Sequence, residues 1–309
     1  MSEPKKHHIL SQFYLDHFAQ NGRLQIYDRT KNEFRESTPH GTAFQKHFYS
    51  IVRENGVKDT SIEKWLSSIE GKAQKAIIAL SNREILSPEQ EAFLALFMAL
   101  MLTRTTEFDR SVKALAEPIL KRVLTEVATL ESAEKFLKME EAKSGLASDI
   151  TAEKMYNVVK QNGFSVSLNR NMPLQHMISV SEKIANILLG MNWMTIHAPS
   201  GHSFVTCDDP FVIIPPEPLR STVYGVGVAT PGAVKLLTLT QNVALLVLDP
   251  GTHRVHKSAL PSVVEYLNLQ VAIQTDRLLI GRDKSLLQNV VTETRLHEVR
   301  KAPRVHQGD

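Results

Sequence analysis

One segment limits the architecture of this chain more than any other. Ser87-Pro88-Glu89-Gln90 starts a helix: the serine accepts an early backbone N–H, proline sits in the first turn, and glutamine falls three residues after the cap. The helix it opens is apolar nearly all round, through Phe93, Leu94, Leu96, Phe97, Met98, Leu100 and Met101. Such a helix has no polar face to turn to water, so other elements must enclose it. Its apolar run, Ala92 to Leu102, is well short of the roughly 18 residues of a membrane span. The sequence therefore predicts a central buried helix, no membrane partner, and a soluble, cytoplasmic protein.

The flanking patterns say what does the enclosing. Arg23-Leu24-Gln25-Ile26-Tyr27-Asp28 alternates like a strand after the Asn21-Gly22 turn signal. Glu33-Phe34-Arg35 predicts a second strand, and Ala43 to Ile51 a third element carrying Phe44, Phe48, Tyr49 and Ile51. Thr60-x-x-Glu63 is a capping box before an apolar stripe of Ile62, Trp65, Leu66, Ile69, Ala73, Ala76, Ile77 and Leu80. A long helical stretch follows over roughly residues 111–142, with Pro118 kinking or splitting it, then short helices near 151–161 and 173–189 closed by Gly163 and Gly190.

The C-terminal third turns β. Trp193 to His197 and Ser203 to Thr206 flank Ala-Pro-Ser-Gly as a hairpin, Phe211 to Ile214 is a short strand, and Val234 to Thr240 with Val243 to Leu248 is a second hairpin. Two helices near 261–275 and 284–297 close the fold. The expectation is an α+β fold: N-terminal short strands, a middle helical layer, C-terminal antiparallel strands and two closing helices. Residues 5–297 form one domain in this reading, since three short strands are marginal as a sheet of their own. Residues 298–309 are a basic, polar tail.

Charge and motifs narrow the function by exclusion. A net charge of +3 in 309 residues does not demand nucleic acid. The single cysteine, Cys207, rules out an internal disulfide and fits a reducing compartment. There is no His-Glu-x-x-His, no Walker-type phosphate loop, no Gly-x-Ser-x-Gly and no cysteine pair for zinc. Gly225-Val226-Gly227 lacks the third glycine of a dinucleotide fingerprint, and His253-x-x-His256 reads as a loop.

Four polar positions stand out from their surroundings. His8, beside His7 and two lysines, precedes a short helix capped by Ser11 and packed through Tyr14, Leu15 and Phe18. Ring and backbone donors there suit an anion; the plainer alternative is a histidine that fixes where the helix starts. Glu70 falls on the border of its helix's apolar stripe, half buried, where a carboxylate needs a cation or donors. Glu63 shares that border but lies about 10.5 Å away in helical rise, too far to clamp one metal with it. Arg104 ends the apolar helix, where it either meets exposed carbonyls or is held inside against an acidic or phosphate partner, and Arg110 shares that choice. Asp208-Asp209-Pro210 ends a strand, as a turn or as a pair of functional carboxylates.

These positions fall within a pattern. His-x-x-x-x-x-Tyr-Leu-x-x-Phe-Ala (His8, Tyr14, Leu15, Phe18, Ala19) resembles the opening of the domain-of-unknown-function family numbered 4238. Ile26-Tyr27-Asp28, Phe48-Tyr49, Ile69-Glu70, Arg104-Thr105 and Phe204-Val205-Thr206-Cys207-Asp208-Asp209-Pro210 follow in the family's order. The chain departs from it at Ser11, where the family has proline, and at Cys207 and Asp209, where it resembles Thr-Ser-Asp-Asn-Pro. The resemblance implies a fold and a set of positions, and no chemistry.

Imidazole, carboxylate and guanidinium together are the groups that hydrolyse phosphoesters: one moves protons, one acts as base or metal ligand, one holds the anionic transition state. The expectation is a phosphoester-cleaving hydrolase, in its narrower form a nuclease. His8, Glu70, Arg104 and Asp208 are its catalytic candidates, and His7, Tyr14, Arg110 and Asp209 its ligand-binding ones. Nucleic acid or a nucleotide is the matching partner, and a divalent metal the matching cofactor, though no residue pattern fixes either. The alternative is a non-catalytic anion- or ligand-binding, regulatory module.

Overall fold

A computed structural model describes residues 6–8, 10–42, 44–46, 51–52, 58–59, 61–167, 171–219 and 226–298; those at 6–8, 44–46, 51–52, 58–59, 61, 106–107, 109, 171–176 and 218 are described by backbone alone. In chain order, β1 (Lys6–His8) and the short helix α1 (Gln12–Asp16) precede β2 (Leu24–Asp28), β3 (Glu33–Ser37), β4 (Phe44–Lys46), β5 (Ile51–Val52) and β6 (Lys58–Asp59). The helical layer is α2 (Ser61–Ser81), α3 (Pro88–Thr103), α4 (Thr106–Val127), α5 (Leu130–Ser144), α6 (Ala152–Lys160) and α7 (Asn171–Leu189). The C-terminal part adds β7 (Met191–His197), β8 (Thr206–Cys207), β9 (Val212–Ile214), β10 (Val234–Thr240), β11 (Val243–Pro250), β12 (Arg254–Ser258), α8 (Pro261–Gln274), β13 (Leu278–Gly281) and α9 (Lys284–Thr294). The chain is thus an α+β protein, with C-terminal antiparallel strands and closing helices.

Helix α3 is the buried centre. Both halves of its capping box form: Ser87 Oγ accepts from the Gln90 N–H at 3.2 Å, and Gln90 Oε1 from the Ser87 N–H at 2.8 Å. Residues 97–103 are buried without a break. Helices α2 and α7 pack on it, and Phe13 and Tyr14 of α1 meet the Phe97 ring with centroids 5.4 and 6.0 Å apart. The stripe of α2 read from periodicity is buried in this core, with Trp65 at its margin. Among the described residues no helix is long and apolar enough to cross a membrane.

Two larger sheets frame the helices. One runs β3-β2-β13-β8, so the N-terminal hairpin joins a C-terminal strand through β13, as expected of residues 23–28. The other runs β12-β7-β11-β10-β9. Tyr14 stitches them together. Its hydroxyl donates to the Thr238 carbonyl in β10 and meets Thr206 Oγ1 in β8, each at 2.7 Å.

Several local expectations are corrected. Residues 193–197 and 203–206 do not form a hairpin: β7 pairs with β11 and β12, while β8 crosses to the other sheet. Loop length favours a hairpin there, but β8 takes its backbone partner from β13, although Ile196 of one segment and Phe204 and Val205 of the other share one core. Pro118 neither splits nor ends its helix; the break falls at Ala128-Thr129, where Thr129 and Ser132 make a reciprocal capping box. His256 lies in β12, an edge strand parallel to β7, rather than in a loop. Arg254 anchors that strand, gripping both Glu91 oxygens at 2.9 and 3.1 Å and donating to the Met191 and Leu189 carbonyls. Strand β13, between the closing helices, is an addition to the sequence reading. Thr60, Phe48, Tyr49, Gly225 and the tail from Arg300 lie outside the described residues.

Candidate functional site

Five of the candidate residues fall in two groups that form a seam, Glu70 with Arg104 at the α3–α4 junction, and Arg110, Asp208 and Asp209 at the turn before β13 at one end of the four-stranded sheet. Helix α3 stops because Arg104 leaves the helical conformation as its C-cap, and Thr105 at once caps α4, its hydroxyl accepting from the Phe108 N–H at 3.2 Å. This tight corner leaves the Arg104 side chain in the interior, 7% exposed, and its guanidinium donates to Glu70 Oε1 of α2. The Glu70 side chain is itself only 18% exposed. The position on the border of an apolar stripe has become a carboxylate with a buried cation as its partner.

Six residues on, Arg110 donates through Nη2 to Asp276 Oδ2 at 2.7 Å. The Asp276 N–H in turn donates to Asp208 Oδ1 at 3.1 Å, and the Arg277 N–H reaches both Asp208 oxygens at 3.2 and 3.0 Å. Asp208 follows β8 directly, so it holds the turn that leads from α8 into β13. The Arg277 side chain reaches back to Asp28 at the end of β2, and Arg29 Nη1 donates to the Thr275 carbonyl at 2.9 Å. Gln274 Nε2 donates to Asp209 Oδ2 at 2.5 Å. One turn, 274–277, thus links Arg110, Asp208, Asp209 and Asp28.

Burial governs the charge states here. Burial pushes the Asp28 carboxyl up, but hydrogen bonds from Arg277 and Thr30 and the charge of Arg277 outweigh it and hold it down at about 2. The same bond to Asp28 raises Arg277 above the ordinary guanidinium value.

The remaining candidates sit differently. Tyr14 is fully enclosed, and burial raises its phenol well above the ordinary tyrosine value, so it is a neutral hydrogen-bonding strut between the sheets. Residues His7 and His8 belong by backbone to β1, opposite Gln45 and Phe44 of β4; where their rings lie falls outside the described residues. Ser11 precedes α1 but makes no capping bond with its side chain, and α1 is only five residues long. Among the described residues no three His, Cys, Asp or Glu side chains group as metal ligands.

Sequence reasoning missed Asp28, Asp276 and Arg277 as site-building residues. Asp28 was within sight, in the Ile26-Tyr27-Asp28 match, but a carboxylate after a strand resembles a turn former. No local pattern marks the other two, whose partners lie 68 residues or more away in the chain.

A family model described as "Protein of unknown function (DUF4238)" matches residues 6–285. The chain belongs to that family. No curated protein and no solved structure matches it.

Proposed function

We propose that the protein is a phosphoester-cleaving hydrolase, with nucleic acid or a nucleotide as its substrate, and that the seam is its reacting centre. The observation that carries this reading is the buried Arg104–Glu70 pair at the α3–α4 corner, with the Arg110–Asp276–Asp208 relay following six residues on in α4. A buried ion pair is a poor stabilising device, because desolvating both charges offsets much of their attraction. A well-packed apolar pair would serve the core at least as well. A guanidinium held at a dry corner is suited to an anionic transition state.

In this reading Arg104 and Arg110 neutralise the phosphoryl oxygens. Glu70 accepts the proton of an attacking water as its oxygen bonds to phosphorus. The ester P–O bond breaks, and the leaving oxygen takes a proton from His8. The carboxylate of Asp208 sets the turn that carries Asp276 and so positions Arg110.

A second reading, anion binding without cleavage, is favoured by one specific observation. Asp208 uses both oxygens on backbone N–H groups, a holding role rather than a reactive one. The deciding experiment incubates the full chain with RNA, DNA and nucleotides, with and without Mg²⁺, Mn²⁺ or Zn²⁺. Cleavage that falls at least a hundredfold in Arg104→Gln supports the hydrolase. Binding without turnover supports the second reading, and neither supports neither.

A further inference from the structure

A cleft that the seam does not use lies farther along the same elements. On helix α2, Ser81 lies about 16 Å of rise beyond Glu70 and lines this cleft of about 770 Å³. Strand β13 likewise has Arg277 before it, at the seam, and Arg282 after it, in the cleft. The cleft floor is the end of α1 and the β10–β11 turn, tied by the Gln241 N–H to the His17 carbonyl at 3.1 Å. Its wall is the turn at residues 198–202, where Gly201 takes a left-handed φ of +83°.

The lining is chemically one-sided. Arg83 and Arg282 enter it from different elements, with His17, His197 and His202, against a single carboxylate, Asp16, among the described residues. Both guanidiniums keep donors in hand. Arg83 commits Nη2 to Ser258 Oγ at 2.8 Å, and Arg282 commits Nε to Asp283 Oδ2 at 3.2 Å. His17 Nε2 and Gln241 Oε1 are buried at the floor without a hydrogen-bond partner among the described residues. The volume falls within the roughly 300–1,000 Å³ of small-molecule sites.

We propose that this cleft binds a small phosphate ester, a nucleotide or a sugar phosphate, with the phosphate between Arg83 and Arg282 and the polar body over His17 and Gln241. Two arginines from separate elements give the paired N–H donors that phosphate oxygens take, and the mostly polar wall excludes an apolar ligand. His197 supports the assignment by staying neutral. Burial, then the charge of Arg83 and the neighbouring His256, hold its imidazole down at about 4, so its ring is a hydrogen-bonding group rather than a further cation. It meets His256 Nδ1 through Nε2 at 3.0 Å. The site is separate from the seam, and its ligand is a second one.

Calorimetric titration of the full chain tests this with pyrophosphate, AMP, ribose 5-phosphate and, as the phosphate-free control, adenosine. The three phosphate-bearing probes bind and adenosine does not. Arg83→Gln with Arg282→Gln weakens them at least tenfold at an unchanged melting temperature. Ring-proton signals of His17 and His202 move on pyrophosphate addition. The proposal is overturned if the wild type binds none of the phosphate probes, if the double variant binds them as the wild type does, or if only signals remote from the cleft move.

Discussion

Arg277 grips Asp28 with three hydrogen bonds, Nε to the two carboxylate oxygens at 3.2 and 3.0 Å and Nη2 to Oδ2 at 2.7 Å. The Asp28 side chain is fully buried, while that of Arg277 is half exposed. The pair joins the ends of β2 and β13, and the same Arg277 supplies the backbone N–H that Asp208 holds. The geometry of the seam therefore depends on a carboxylate that must stay ionised inside the protein.

Acid should expose that dependence. The Asp28 value is lowered on folding, from 3.8 to about 2. A depressed carboxyl contributes stability that is present above the unfolded value and lost as pH falls through the folded one. The expected loss is on the order of 2 kcal/mol between about pH 4 and pH 2. Urea melts of the wild type and Asp28→Asn across that window check it. The variant is less stable at pH 7 and its curve is flatter; parallel curves would separate Asp28 from the acid response.

A second window lies higher. The His197 value is lowered from 6.5 to about 4. The unfolded chain takes up the proton first, so stability is full above about pH 6.5 and declines as pH falls toward 4. His197→Gln should remove that part of the decline. In the wild type the His197 ring-proton signal should titrate with a midpoint near 4. A midpoint near 6.5 would contradict the buried, Arg83-facing position.

Phe97 tests the core. Its ring is fully buried in α3 and touches Phe13 and Tyr14. Phe97→Ala should cost about 3–5 kcal/mol. A change under about 1 kcal/mol in denaturant melts would make α3 peripheral.

Tyr14→Phe keeps that packing and removes one hydroxyl, which joins Thr206 to the Thr238 carbonyl inside the protein. Leaving those groups unpaired should cost about 1–3 kcal/mol. Chemical denaturation compares the two proteins, and equal midpoints would show that the stitch between the sheets carries no stability.

Much of this was readable from sequence where the signal is local. Ser87 and Gln90 announce α3 within four residues, helical phase places Glu70 at a half-buried edge, and the apolar run before Arg104 leaves it either at exposed carbonyls or inside. An acidic partner is one of the choices open to Arg104, and of Glu70 and Asp208, both of which suit it, Glu70 is the one it meets. What periodicity cannot supply is pairing across the chain. Strand β8 is two residues long and resembles its neighbours in composition, so nothing local says that it leaves β7 for β13. The cleft escaped for the same reason: Arg83, His197 and Arg282 are ordinary surface residues until the turns that carry them converge.

Turnover at the proposed seam is open to direct assay. Initial rates are followed on single-stranded RNA and DNA and on a nucleotide panel, with and without divalent metal, for the wild type, Glu70→Gln and Arg104→Gln, with folding of each variant checked by melting temperature. The wild type should turn over at least one of these substrates, and both variants should lose at least about a hundredfold, the scale of removing a general base or a transition-state donor. A wild type that turns over none of these substrates, or folded variants that match its rate, would contradict it.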